Sequence, residues 1–234
     1  MTAEGPLTPV EFSTGEVFAD GVRNEVGLAL DPEGDAVWGV ENGPDQLSRP
    51  DIGNDINNDA VAEELNRFPI DSPGLFYGYP YCWSEYSLPN GAGLGKTSQW
   101  SWPSGAKSDA WCRDTANVQP PTLAMQAHSA PLGMAFFKGA SCSQCDATCQ
   151  AAGTYEGGER GGFPCSHNGD LFVPFHGSWN RNPATGYKVV RIPFTNNMPA
   201  GQPEDFLKND GSSAKWPNNM RPVDVAFDAR GRMF

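Results

Sequence analysis

Residues 21–45 read GVRNEVGLALDPEGDAVWGVENGPD. Val26, Leu28 and Leu30 alternate along an apolar run, Pro32-Glu33-Gly34-Asp35 turns the chain, and Val37, Trp38 and Val40 bring it back. Apolar runs on either side of a proline and glycine turn predict a β-hairpin. Asn42-Gly43-Pro44-Asp45 then breaks the second strand with another tight turn. Both open ends carry groups suited to a ligand. Arg23 offers a planar cationic fork for carboxylate or quinone oxygens, and Gly43 and Pro44 offer bare main-chain carbonyls of the kind a hard cation takes.

Working outward, the hairpin recurs, and such repetition is the strongest clue to architecture. LGMAFFKG at 132–139 repeats its first strand, NGDLFVPFHG at 168–177 its second, and VDVAFDARGRMF at 223–234 the whole unit. The copies lie far apart, so further strands intervene; residues 187–193 alternate as a half-buried strand does. With 27 Gly and 21 Pro in 234 residues, strands and turns are favoured over long helices. The best helical candidate is the short stretch 59–68. These features predict an all-β fold, a β-propeller with long insertions at the mouth of its channel. A β-sandwich explains the strands but not the recurring start of the repeat.

Between the repeats, residues 51–66 (DIGNDINNDAVAEELN) are rich in Asp and Asn but lack the glycine and terminal glutamate of an EF-hand. They read as a solvated loop closing on a short turn at Glu63-Glu64-Leu65-Asn66. Tyr77-Gly78-Tyr79-Pro80-Tyr81-Cys82-Trp83 is aromatic and stiffened by proline, fit for core or for a wall that stacks on a flat ring. Residues 88–105, with Trp100 and Trp102, read as a surface loop tied down by Cys82 and Cys112.

The formal charge of -12 and pI near 4.6 argue against nucleic acid and anionic membranes as partners. No segment is long and apolar enough to span a membrane. Six cysteines fit structural disulfides in an oxidising, secreted setting. Cys142, Cys145, Cys149 and Cys165 fall in a cysteine-rich insertion over 139–167, where three disulfide pairings are open. With His167 nearby, a zinc site is the alternative, although the ligand spacing is uneven. Met1-Thr2-Ala3-Glu4-Gly5 is no signal peptide, and the last hairpin stops in its second strand. Both features are those expected of an internal piece of a longer secreted protein.

The remaining candidates for chemistry lie where strands empty into loops. His128 precedes one repeat, and His176 follows another within FHGSWNR at 175–181. Arg221 stands before the third repeat as Arg23 stands before the first. Arginines converging on one axis are costly without an anion between them, which points to a multiply carboxylated ligand. There is no G-x-S-x-G elbow, P-loop, dinucleotide glycine fingerprint or H-E-x-x-H, so nicotinamide and nucleotide enzymes find no support.

GVRNEVGLALDP, VENGPD, EELN and YGYP together resemble the glucose/sorbosone dehydrogenases that use pyrroloquinoline quinone (PQQ). AHSAPLGMAF and FVPFHGSWNRNPATGYKVVR resemble the L-sorbosone dehydrogenase branch and the fungal pyranose dehydrogenases. The resemblance implies a six-bladed β-propeller, represented here by an incomplete set of blades, with Ca2+ and the quinone on its axis. It implies that Arg23 and Asn24 line the quinone and that Gly43 and Pro44 give carbonyls to Ca2+. It further implies that His176 meets cofactor or substrate and that Arg221 reaches the cofactor, while Val223 replaces the usual second arginine. The family's general base, a histidine of an earlier blade, has no counterpart before Gly21. The implied reaction is oxidation of a monosaccharide at its anomeric carbon, with Arg23 and His176 as catalytic residues and a cytochrome or other acceptor taking the electrons. The competing readings are a non-catalytic propeller that binds protein or glycan and a calcium-dependent lactonase, which needs several acidic side chains round the metal.

Overall fold

The computed structural model describes residues 9, 11–53, 56–89, 91–103, 105–138, 165–211, 213–228 and 231–234. Cys142, Cys145, Cys149 and most of the expected insertion lie outside these residues. The short strand β1 (Ala19–Asp20) leads into the predicted hairpin of β2 (Glu25–Leu30) and β3 (Ala36–Glu41). Asp31 closes its turn by accepting the backbone N–H groups of Gly34, Asp35 and Ala36. The chain continues through β4 (Glu63–Pro69), β5 (Leu75–Phe76), β6 (Cys82–Ser84), β7 (Gln99–Ser101), α1 (Asp109–Arg113) and β8 (Leu123–Met125). Next come β9 (Ala135–Phe136), β10 (Leu171–Phe175), β11 (Lys188–Ile192), β12 (Phe194–Thr195), β13 (Met198–Pro199) and β14 (Glu204–Lys208).

The fold is all-β, as its glycine, proline and alternating runs predict. Two four-stranded antiparallel sheets, β2-β3-β4-β8 and β14-β11-β10-β9, carry the main core. Trp38, Val40, Leu65 and Met125 of the first pack in one apolar cluster with Leu171, Val173 and Val190 of the second. Trp38 is fully buried and meets Phe194 edge-on at 5.1 Å; burying a side chain of this kind stabilises by about 2–3 kcal/mol.

The structure corrects several expectations. Residues 59–68 are not helical, and Glu63-Glu64-Leu65-Asn66 is not a solvated turn: Glu63–Pro69 forms β4, paired on both edges with β3 and β8. The sequence misleads here because Glu63, Glu64 and Asn66 are all buried. The α-helix lies instead at Asp109–Arg113, where the Ser108 hydroxyl caps it by accepting the Trp111 N–H. Strand β2 turns its apolar run outward, with Val26, Leu28 and Leu30 46%, 61% and 51% exposed. Its other face packs on the fold because Gly27 lies close to the Leu132 carbonyl.

Residues 88–105 are not all surface. They contain β7, whose buried Trp100 stacks on Trp83 with centroids 6.2 Å apart. Cys82 and Cys112 form the expected disulfide beneath them. The Arg49 guanidinium holds Asp51 at 2.7 Å, Asp109 at 3.1 Å and the Ser101 carbonyl at 2.8 Å, pinning this aromatic region to α1.

Candidate functional site

Loops at the ends of the strands are stitched to one another by hydrogen bonds. Asn42 donates its backbone N–H to the Asn24 carbonyl at 3.0 Å and its side-chain amide to the Pro131 carbonyl at 2.7 Å. His176 and Gly177 donate their backbone N–H groups to the carbonyls of Ala130 and Ser129, each at 2.9 Å. Arg221 Nη1 donates to the Gly177 carbonyl at 3.1 Å, and the His176 ring meets the Pro222 carbonyl through Nδ1 at 3.0 Å. This chain of contacts links the loops that carry Arg23, Gly43, Pro44, His176 and Arg221.

Arg23 is partly buried. Its Nη1 donates to the carbonyls of Asn42 at 2.9 Å and Gly43 at 3.0 Å, and Nη2 lies 3.9 Å from Asp45 Oδ2. The expectation of a bare Gly43 carbonyl is therefore corrected: it already accepts from a cation, because the hairpin sets Arg23 directly beside the turn. Glycine is required there, since a Cβ on Gly43 would lie 2.2 Å from the Ala62 carbonyl oxygen. Pro44 is buried, and Asn24 is exposed, joining the cluster through its main chain.

The residue that gathers these loops is Asp45, whose role the sequence does not reveal because only the fold brings its partners together. It accepts from the Asn180 side chain at 2.9 Å and faces His128 Nδ1 at 3.5 Å. His128 Nε2 in turn meets the Asn57 carbonyl, so both ring nitrogens are engaged inside the protein. His176 differs. A carbonyl can only accept, so Nδ1 carries a proton, and among the described residues no hydrogen bond engages Nε2 of this half-buried ring, which in the neutral tautomer is the acceptor. The Arg221 guanidinium lies over the Tyr187 ring at 4.8 Å and donates to its hydroxyl at 2.9 Å. Its partners are all neutral: among the described residues no carboxylate pairs with it.

Carboxylates support the cluster from below. Glu41 accepts the Arg23 backbone N–H at 2.8 Å and Glu63 that of Gly43 at 2.9 Å. Glu25, Glu41 and Glu64 sit opposite one another on β2, β3 and β4, around the Asn66 side-chain amide. Burial pushes Glu25 up to about 7 and Glu41, Glu63 and Glu64 up to about 8, with mutual repulsion adding to the shift.

The donor chemistry fits the groups expected here. The Asn42 and Gly43 carbonyls each spend one lone pair on Arg23 beside the Asp45 carboxylate and keep a second, the kind of main-chain oxygen donor that Ca2+ takes. Among the described residues no group of His, Cys, Asp or Glu side chains is arranged to hold a metal, so such an ion would rely on main-chain oxygens. Arg221, positive and partnered only by neutral groups, fits an anionic ligand.

Open antiparallel sheets with this loop cluster place the chain among the all-β domains related to PQQ-dependent sugar dehydrogenases. It belongs to the TrAA12-like family, whose profile matches residues 2–234. It is 32% identical over 248 residues to a PQQ-dependent pyranose dehydrogenase of Coprinopsis cinerea, covering 96% of this chain and 30% of that protein. It is 34% identical over 243 residues to a PQQ-dependent sugar dehydrogenase of Hypocrea jecorina, covering 97% and 47%. The calcium structure of the Trichoderma reesei family AA12 enzyme superposes with a TM-score of 0.75 at 27% identity, over 100% of this chain and 54% of that one. The holo PQQ domain of the Coprinopsis cinerea pyranose dehydrogenase gives 0.64 at 27% identity, over 92% and 51%. The chain thus spans less than half the length of these curated relatives.

Proposed function

We propose that this chain carries the cofactor-facing loops of a PQQ- and Ca2+-dependent sugar dehydrogenase built as a six-bladed β-propeller. The observation that carries the reading is the stitched loop cluster, in which Arg23 and Arg221 are both fixed by main-chain carbonyls. When bound, PQQ supplies an electrophilic carbonyl able to take a hydride equivalent from the anomeric carbon of a monosaccharide. Arg23 commits Nη1 to the Asn42 and Gly43 carbonyls and directs its other N–H donors to quinone oxygens, with Asn24 beside it. Gly43, through the lone pair that Arg23 leaves, and Pro44 present their carbonyls to Ca2+. Arg221, held over Tyr187, binds a cofactor carboxylate. His176 keeps its proton on Nδ1 and offers Nε2 to a sugar hydroxyl. The sugar loses one hydride equivalent and one hydroxyl proton to give a lactone, and its two electrons pass on to a cytochrome-type acceptor.

In the same reading the protein is secreted, where the Cys82–Cys112 disulfide persists, and residues 139–167 form a cysteine-rich insertion. Among the described residues no helix is long and apolar enough to cross a membrane.

The test is reconstitution of the full-length protein with PQQ and Ca2+ under a set of monosaccharides. Sugar-dependent reduction of an acceptor dye is expected, and Arg23→Ala should lower it by at least about 100-fold, as loss of an electrostatic donor at a reacting centre does. A protein that binds PQQ yet reduces no dye with any sugar would be a binding module instead.

A further inference from the structure

Among the described residues Glu63 makes no hydrogen bond to the side chains of Arg23, His176 or Arg221, yet it holds the loops that present them. It opens β4 and is only 3% exposed. Its carboxylate is divided: Oε2 accepts the backbone N–H of Gly43 at 2.9 Å, and Oε1 that of Ala130 at 3.3 Å. Gly43 belongs to the turn whose carbonyls hold Arg23. Ala130 and Ser129 belong to the segment whose carbonyls hold His176 and Gly177. Ala130 also has a left-handed backbone with φ 54°, as does His128 at 58°. Such a conformation persists in a non-glycine residue only where its surroundings over-determine it. Glu63 on the N–H of Ala130 and His176 on its carbonyl supply that constraint.

A buried carboxyl group with no cation beside it is costly, and an apolar side chain at the same place would avoid the cost. Among the described residues no Lys or Arg pairs with Glu63, while Asp45 and Glu64 lie close enough to repel it. Main-chain donors on separate loops are what its carboxylate gains. We propose that Glu63 is a positioning residue: by bridging Gly43 and Ala130 it sets the distance between the carbonyl turn and the His176 loop, and so where Arg23 presents its fork. The role rests on the quinone-site reading above; the bridge itself does not. In Glu63→Gln the side chain keeps its shape, but its amide nitrogen cannot accept either N–H, so one loop is released.

The experiment uses the full-length protein with excess Ca2+ and measures the dissociation constant of PQQ by tryptophan fluorescence, for wild type, Glu63→Gln, Arg23→Lys and the double variant. Loss of one acceptor oxygen, which leaves a buried backbone N–H of Gly43 or Ala130 unsatisfied, should weaken PQQ binding about tenfold. Because Glu63 acts through the turn that holds Arg23, the double variant should bind no more than about threefold more weakly than the worse single one. Binding by folded Glu63→Gln within twofold of wild type, or single effects that multiply in the double variant, would overturn the assignment. If Glu63→Gln does not fold, hydrogen exchange of the wild type decides: segments 42–46 and 128–131 should open together and gain protection together when PQQ binds, and independent opening rejects the bridge. A wild type that binds no PQQ would refute the quinone reading, while the coupled exchange would still judge the bridge.

Discussion

Two buried polar regions of this molecule handle charge in opposite ways. Around Arg49, one cation is matched by Asp51, Asp109 and the Ser101 carbonyl. Around Asn66, Glu25, Glu41 and Glu64 face one another across adjacent strands and share a neutral amide, with no guanidinium or ammonium group bonded to their carboxylates among the described residues. The shifts follow. Burial pulls Asp109 upward, but hydrogen bonds from Arg49 and Ser101 outweigh it and hold the carboxyl at about 2. The glutamates have no such compensation and rise. Matched charge fastens the disulfide-tied aromatic region; unmatched charge lies directly under Arg23, through the bond from its N–H to Glu41. Strongly perturbed groups cluster at functional sites.

The contrast can be broken first at Arg49. Arg49→Leu strands a partly buried Asp109 and the Ser101 carbonyl, and unfolding in urea should show a loss of about 3–5 kcal/mol; a loss below about 1 kcal/mol would mean the matched cluster does not stabilise. Replacing Cys82 and Cys112 together by alanine, which releases a sequence separation of 30 residues, should cost about 2–4 kcal/mol in the same assay.

Acidity sharpens the contrast, because the regions respond with opposite sign. Glu25 and Glu64 have folded values raised from 4.5 to about 7 and about 8. The folded state therefore holds protons that the unfolded chain has released, so their contribution is full below about pH 4.5 and is lost as pH rises through 7 to 8. Asp109 is depressed from 3.8 to about 2, so its contribution is present above pH 3.8 and lost as pH falls towards 2. Stability curves should fall by several kcal/mol between pH 5 and 9, and Glu64→Gln should flatten that slope. An unchanged slope would move the protons elsewhere. The smallest effect is expected at Lys208, an exposed partner of Asp205: Lys208→Ala should change stability by less than about 0.5 kcal/mol.

Much of the scaffold is legible in the sequence because its signals are local. The β2–β3 turn follows from Pro32 and Gly34 with Asp31 bonding to the amides beyond it, and β10 and β11 follow from runs of Leu, Phe, Val and Ile. Strand β4 is illegible for a physical reason: Glu63, Glu64 and Asn66 are hidden by neighbours distant in sequence, while Val26, Leu28 and Leu30, which look like core, face outward. The same holds at the site. Arg23 and the 42–45 turn announce themselves as neighbours across a hairpin, and FHGSWNR stands out by composition. Asp45 as a hub, Glu63 as a bridge and the capture of the Gly43 carbonyl by Arg23 depend on contacts between loops that only folding creates.

The central claim is that the loops carrying Arg23 and Arg221 serve a single quinone ligand, and equilibrium titration of the full-length protein with PQQ and Ca2+ tests it directly. Arg23→Ala and Arg221→Ala should each weaken PQQ binding by about tenfold or more, while Lys208→Ala leaves it unchanged. Wild-type affinity in either arginine variant would contradict the account.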